Sequence, residues 1–341
     1  MILSWRNQHA GLSFRDHPAV FSTVWLAILL ALFTGIQARA ADRVFRGHVP
    51  APSRNLTPLN RLDAAKRLDL VITLPLRNTE ALTNLLREIY DPASANYHRF
   101  LTVEQFTGRF GPALSDYQTV ASYMASNGLA VTQTYANRLV LDVGGSVADI
   151  ERTFHIQLHV FRHPTESRTF FAPDTDPALD ANLPVLDVDG LDNFVLPRPA
   201  GLVRKPASQA GKAAPFHGTA PDGTYIGSNF RTAYFPGVTL DGAGQTVGLF
   251  ELDGYFPGDI TAYESTAGLP NVPLSNVLLD GFNGAAGSNN DEVALDIDMA
   301  IDMAPGLNGV IVYEGFQPNN ILNQMAVDNK AKQLSCSWGW S

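Results

Sequence analysis

The sequence predicts two folded halves in series: an α+β sandwich, ferredoxin-like in the order of its elements, followed by an α/β domain on a mostly parallel sheet. Three observations carry this. Residues 69–162 mix period-two and period-3.6 patterns around a central hairpin. Residues 246–337 alternate strand-like and helix-like segments. Between the halves, 197–218 holds Pro197, Pro199, Pro206, Pro215, Gly201, Gly211 and Gly218 with Arg198, Arg204, Lys205 and Lys212. Few apolar positions recur there, so it reads as an exposed linker open to proteolytic processing. At 341 residues, with 45% hydrophobic and 17% charged residues, the chain can bury two cores and is not broadly disordered.

In the first half, 42–62 is a polar, proline-containing lead-in. Residues 69–74 alternate and predict a strand. Residues 80–90 place Leu82, Leu85, Leu86 and Ile89 on one helical face. Thr102-Val103-Glu104-Gln105 is a capping box that opens a short helix. Ser115 is expected to cap a helix ending at Asn127-Gly128. Residues 129–135 and 138–143 flank Ala136-Asn137 as a hairpin. Ser146 caps a helix through Phe154, and 157–162 is again strand-like.

In the second half, 246–252 is an apolar strand and 257–267 a helix. A short strand at 277–279 precedes a Gly/Asn loop. Residues 291–303 form a helix stopped by Pro305-Gly306. A strand at 309–313, a helix at 318–329 and a strand at 333–337 follow. Regular alternation implies parallel strands covered on both faces. The last strand is expected to be central, so the sheet is expected to be incomplete. Gly242-Ala243-Gly244 precedes a strand instead of following one and so fails the dinucleotide-binding context.

The N-terminus has the parts of an export signal: Arg6 and Arg15, the apolar run 24–33, and Ala38-Arg39-Ala40 with cleavage before Ala41. The other reading is an uncleaved anchor. The expected division is 1–40 signal, 41–196 first domain, 197–218 linker and 219–341 second domain, with a secreted or periplasmic location. No stable membrane span is expected after signal cleavage. The net charge of −9 argues against nucleic acid as a partner. Residues 219–341 hold 3 Lys/Arg against 14 Asp/Glu, and the first 218 residues 21 against 19. Such an asymmetry suits two halves that attract one another, or simply keeps the second half soluble. On the attractive reading, acid would protonate the second half and loosen the contact. The single cysteine, Cys336, excludes an internal disulfide and reads as a small core residue.

The chemistry concentrates in the helix 291–303. Glu292 and Asp296 are four apart, hence one turn apart on one face. Leu295, Met299 and Met303 fall beside them, whereas Asp298 and Asp302 read as a solvated face. Two acids beside apolar surface have raised pKa values and share a proton, which suits general acid–base work at low pH. Acids in a first helical turn also simply complement the helix dipole. A hard cation is a third reading, but 219–341 has no His, so zinc is disfavoured. No Gly-x-Ser-x-Gly elbow is present.

Asn96-Tyr97-His98-Arg99-Phe100-Leu101-Thr102, with Phe106 and Arg109-Phe110-Gly111, resembles the propeptide signature of the sedolisin (kumamolisin-like) family, the serine-carboxyl peptidases. Val188-Asp189-Gly190-Leu191-Asp192 is similar to that propeptide's last strand. Gly244-Gln245-Thr246-Val247, Asp259-Ile260, Gly268-Leu269-Pro270 and Ala304-Pro305-Gly306 resemble the family's catalytic domain, as does Ser335-Cys336-Ser337-Trp338-Gly339. The resemblance runs from about Leu68 onward. It implies an activation propeptide followed by an incomplete subtilisin-like α/β catalytic domain that hydrolyses polypeptides. It implies Glu292 as general base, Asp296 as the acid that holds it, and Ser337, Trp338 and Gly339 as the edge that pairs with substrate backbone.

The departures are equally specific. The family's nucleophile lies in Gly-Thr-Ser and its oxyanion-stabilising Asp in Gly-Asp-Ser, and neither motif is present. The calcium that the resemblance implies has its ligands beyond these residues. The expectation is a peptidase precursor whose present residues stop short of the nucleophile and do not turn over peptide. The alternatives are a secreted inhibitor built on the first domain and a degenerate relic.

Overall fold

The computed structural model describes residues 41–201, 218–221 and 223–340; the export-signal reading and most of the linker reading lie outside them. In chain order the first half contains strand β1 (Asp42–Val44), β2 (Asn60–Arg61), β3 (Arg67–Thr73), helices α1 (Thr79–Tyr90), α2 (Val103–Arg109) and α3 (Leu114–Ser126), β4 (Ala130–Thr134), β5 (Val140–Ser146), α4 (Val147–Phe154), β6 (Leu158–Arg162), β7 (Thr169–Pro173), β8 (Ala178–Asp180), β9 (Asp187–Asp189) and β10 (Arg198–Pro199). The second half contains α5 (Ser228–Tyr234), β11 (Thr246–Glu251), α6 (Pro257–Ala267), β12 (Leu274–Leu278), α7 (Asn290–Met303), β13 (Gly309–Glu314), α8 (Pro318–Asp328), β14 (Gln333–Cys336) and β15 (Trp338–Gly339).

The main sheet of the first half has the order β4-β5-β3-β9, antiparallel throughout. Period-two alternation divides its faces. Leu70, Ile72, Leu141, Val143 and Val188 point into one core with Tyr117, Val120 and Met124 of α3 and Val147, Ile150 and Phe154 of α4. The residues between them, Val71 and Val140, pack with Tyr135 on the other face, which also carries Asp142. The chain turns out of β9 at Gly190, with φ +96° and space for a Cβ only 2.7 Å from the Asp69 carbonyl oxygen. That approach requires glycine. A second antiparallel sheet, β2-β6-β7, flanks the first.

The capping box forms as expected: Thr102 accepts from the Gln105 N–H, and the Gln105 side chain accepts from the Thr102 N–H. Ser146 caps α4 through the Asp149 N–H, worth about 1 kcal/mol. Ser115 is not a cap, because α3 begins one residue earlier with Ala113 in the N-cap position. Leu86 leaves the face predicted for α1 and is exposed, while Leu85 and Ile89 are buried.

The second sheet is parallel, with the order β12-β13-β11-β14. β13 reads Val310-Ile311-Val312-Tyr313, all buried, as a strand covered on both faces should. Register pairs Phe250 with Tyr313 and Glu251 with Glu314. The Tyr313 hydroxyl donates to Asp328 of α8 (3.1 Å), whereas Glu251 faces Asp296 of α7, so the two helices lie on opposite faces. β14 occupies the sheet's edge, where Cys336 is exposed. It is not the core residue expected from its apolar neighbours, because β14 pairs on only one side among the described residues.

The halves meet where α8 lies against the Asp142 face of the first sheet. Asn137 donates to Asn323 (2.6 Å), Asn320 to Asp142 (2.8 Å) and Asn319 to Asp189 (2.6 Å).

Candidate active site

The end of β11 and the first turns of α7, the helix that follows β12, build the site together. Asp253, just past β11, accepts from the N–H groups of Gly254 (2.8 Å), Gly287 (2.6 Å) and Asn289 (2.7 Å). A Cβ on Gly287 would fall 2.7 Å from an Asp253 carboxylate oxygen, so only glycine fits. These bonds fix the loop that delivers α7. The helix then seats Val293, Ile297 and Ile301, all fully buried, in the core. That anchoring leaves Glu292, 4% exposed, and Asp296 turned toward the end of β11.

There they meet Glu251, the last residue of β11 and fully buried. The Trp338 indole N–H donates to Glu251 Oε2 (2.9 Å). Glu251 and Asp296 interact carboxyl against carboxyl, and Glu251 Oε1 and Asp296 Oδ2 are both buried without a donor, a lack that one proton held between them would supply. Ser337 Oγ donates to Asp296 Oδ1 (2.9 Å). Burial pushes Glu251 up to about 9; the charge of Asp296, its hydrogen bond and the Glu292 charge add to this, against the Trp338 bond. Burial also raises Asp296, opposed by its bonds to Ser337 and Glu251. Glu251 is therefore the neutral donor and Asp296 the acceptor. Such a chain stores a proton and holds a carboxylate in one orientation beneath Ser337.

The backbone of the same residue has a second role. The Ala200 N–H donates to the Ser337 carbonyl (2.6 Å). β10 pairs antiparallel with β15, Arg198 opposite Gly339 and Pro199 opposite Trp338. The end of the first half therefore lies as an added strand on the edge Ser337–Trp338–Gly339. The Trp338 ring is buried, whereas Trp340 is half exposed and meets Phe250 edge-on at 6.4 Å.

Glu292, Asp296, Ser337, Trp338 and Gly339 thus gather in one place, and Glu251 joins them although sequence reading passed over it. Its signal was a carboxylate inside an otherwise apolar strand. Two other expectations for α7 are corrected. Leu295 is exposed, so it does not dry the acids; β11 and Trp338 do. Asp298 and Asp302 are not a solvated face. Asp302 is fully buried and accepts from the Tyr263 hydroxyl of α6 (2.5 Å). Asp298 is pushed to about 7, first by burial and then by Asp302, Glu264 and Asp259. Among the described residues, no group of three or more His, Cys, Asp or Glu side chains converges as a metal site, and no helix is long and apolar enough to cross a membrane.

Comparison with known proteins bears on this arrangement. Residues 54–194 match the family "Pro-kumamolisin, activation domain". The chain is 25% identical over 347 residues to Sedolisin of Pseudomonas sp. (strain 101), covering 94% of this chain and 57% of that protein. It is 27% identical over 299 residues to Xanthomonalisin of Xanthomonas sp. (strain T-22), covering 82% of this chain and 36% of the relative. It is 27% identical over 170 residues to human Tripeptidyl-peptidase 1, covering 47% and 29%. The chain therefore spans a little over half, or less, of the length of these curated relatives.

Proposed function

With its relationship to the sedolisin-type peptidases as premise, we propose that this chain is the front of a secreted, acid-acting serine-type endopeptidase precursor. Residues 41–196 are its activation domain, ferredoxin-like in the strand order β4-β5-β3-β9. Residues 197–218 are the linker that is cut. Residues 219–341 begin a subtilisin-like catalytic domain. Glu292 is the general base and Asp296 the acid that positions it. Ser337, Trp338 and Gly339 are the edge on which a polypeptide substrate lies.

The observation that carries this reading is the double engagement of Ser337. Its hydroxyl binds the acid network (2.9 Å to Asp296) and its carbonyl binds an extended strand (2.6 Å from Ala200). A peptide on that edge is held next to a carboxyl pair able to take and return a proton. In acid, such a pair still works where an imidazole is fully protonated. Arg198–Ala200 fills the edge as a substrate would, so the uncut precursor blocks itself. Neither Gly-Thr-Ser nor Gly-Asp-Ser is among these residues, and covalent catalysis needs nucleophile and oxyanion donor together. Residues 1–341 by themselves therefore bind peptide without hydrolysing it. Calcium ligands, by resemblance, lie outside these residues, and no step here runs through a metal.

The test is amide NMR of the full chain at acid pH with an unstructured peptide in excess. Competition with the linker strand should shift Ala200, Ser337, Trp338 and Gly339; no change at these four residues would sink the substrate-edge reading. Peptide turnover that disappears in Glu292→Gln would overturn the inactivity of the chain while supporting its acid pair. A second reading, a secreted inhibitor of related peptidases, draws on the same strand. It fails if the chain does not inhibit an active relative.

A further inference from the structure

α8 meets the first half with amides. Asn319, Asn320 and Asn323 project on adjoining faces of one helical stretch and each bonds across the contact. Asn319 Nδ2 reaches Asp189 Oδ2 of β9 (2.6 Å). Asn323 Oδ1 accepts from Asn137 Nδ2 in the β4–β5 turn (2.6 Å). Asn320 Nδ2 reaches both Asp142 Oδ2 of β5 (2.8 Å) and Asp280 Oδ1 of the loop after β12 (2.6 Å). Asn137, Asp142, Asn320 and Asn323 are all buried. Amides buried against carboxyls form a geometric code that apolar contact alone would not provide.

The donors and acceptors around Asp142 do not balance. Asp142 Oδ2 accepts from Tyr135 (3.1 Å) as well as Asn320. Asp280 Oδ2 accepts from the N–H groups of Phe316 (3.0 Å) and Gln317 (2.8 Å). Asn320 Nδ2 is spent on the two carboxyls. Asp142 Oδ1 and Asn320 Oδ1 remain as buried acceptors without a donor, bordering a cavity of about 420 Å³. Asp280 from the second half and Asp69 from β3 face Asp142, and both are acidic. The phenols of Tyr135 and Tyr117 face it from its own half, and α8 contributes only the Asn320 amide. One proton on Asp142 would supply the missing donor and remove one of the opposed charges.

We infer that α8 is the surface by which the second half recognises the first, and that it recognises Asp142 in its acid form, so that docking takes up a proton. This stands on the observed contact and does not require the peptidase reading. Burial carries Asp142 up to about 7, with Asp280 and Asp69 adding to it and the Tyr135 and Asn320 bonds opposing. Opening the contact returns Asp142 toward the ordinary value of 3.8. A raised carboxyl contributes its full stability below the open-state value. That contribution is lost as pH rises from about 4 to about 7 and is constant above. The contact therefore tightens on acidification across this window, the reverse of what loss of charge attraction would give.

The experiment is amide hydrogen exchange of the full chain from pH 4 to pH 8, read as protection factors on α8 and β5. In the wild type, protection should fall with pH between about 4 and 7, by up to tenfold per unit. Asp142→Asn, which keeps both acceptor bonds without a charge, should fall less steeply by about one proton. It should protect α8 at pH 7.5 at least as well as the wild type. Equal slopes would overturn the proposal, because Asp142 would then be ionised when docked, with water or a cation filling the node. Asn320→Ala should loosen α8 and leave β3–β5 pairing protected; unchanged α8 protection would overturn the recognition role. Should Asp142→Asn fail to fold, the wild-type Asp142 carboxyl carbon resonance answers directly. A midpoint near 7 supports the proposal, and one in the ordinary carboxylate range overturns it.

Discussion

Glu251 shows how far one side chain is decided by what surrounds it. Sequence periodicity relates a residue to its neighbours on one helix or strand, and in that way it sets Glu292 and Asp296 one turn apart on α7. The carboxyl that shares Asp296's proton lies 45 positions earlier in the sequence, on another element, where periodicity says nothing. The same limit hid Asp302, whose partner is on α6. The residue-scale prediction concerns Glu251, neutral up to about 9. Glu251→Gln preserves a neutral group between Trp338 and Asp296 and should change stability by less than about 1 kcal/mol near pH 5. Glu251→Ala leaves an indole N–H and a carboxyl buried without their partner, at a cost of about 2–4 kcal/mol. Because the Glu251 pKa is raised on folding, its contribution is complete below about 4.5 and is lost as pH rises toward 9. Thermal unfolding between pH 5 and pH 9 should therefore show a steeper fall in Tm for the wild type than for Glu251→Gln. Parallel curves would mean that Glu251 is ionised in the folded chain.

Elements were more legible than their orientations. α7 falls within one residue of expectation at its start and ends as expected at Met303, because Pro305-Gly306 stops it. The strands of the second half alternate with helices as expected and pair in parallel. What the pattern could not give is which arc of a helix another element covers. A spacing of 100° per residue marks Leu86 of α1 and Leu295 of α7 as candidates for a buried face, yet both lie at its margin and are exposed. The buried arc of α7 is Val293, Ile297 and Ile301, and it fixes where Glu292 and Asp296 point. Urea unfolding separates the two assignments. Ile297→Ala, at a fully buried site, should cost about 2–5 kcal/mol. Leu295→Ala, 44% exposed, should stay within about 0.5 kcal/mol. Comparable losses would place Leu295 in the core and rotate the acid pair away from β11.

Across the whole molecule, the charge asymmetry between the halves was plain in the sequence, but its structural expression was not. A basic front and an acidic rear suggest ion pairing, yet the bonds that join α8 to the first sheet are amide to amide and amide to carboxyl. The ion pairs between described residues each fall within one half or the other. Composition sums charge over a surface, whereas a contact is made by the few residues whose strand parity and helix phase bring them together. Buried amide–carboxyl bonds are short-ranged and shielded from mobile ions, so salt should matter little to this contact. Raising ionic strength to about 1 M, where the screening length is about 3 Å, should leave hydrogen-exchange protection of α8 within about twofold of its low-salt value. Net attraction between oppositely charged halves would instead be screened away, and α8 would lose protection progressively with added salt. A loss of tenfold or more at constant pH would return the contact to long-range charge and take the asparagine register out of its control.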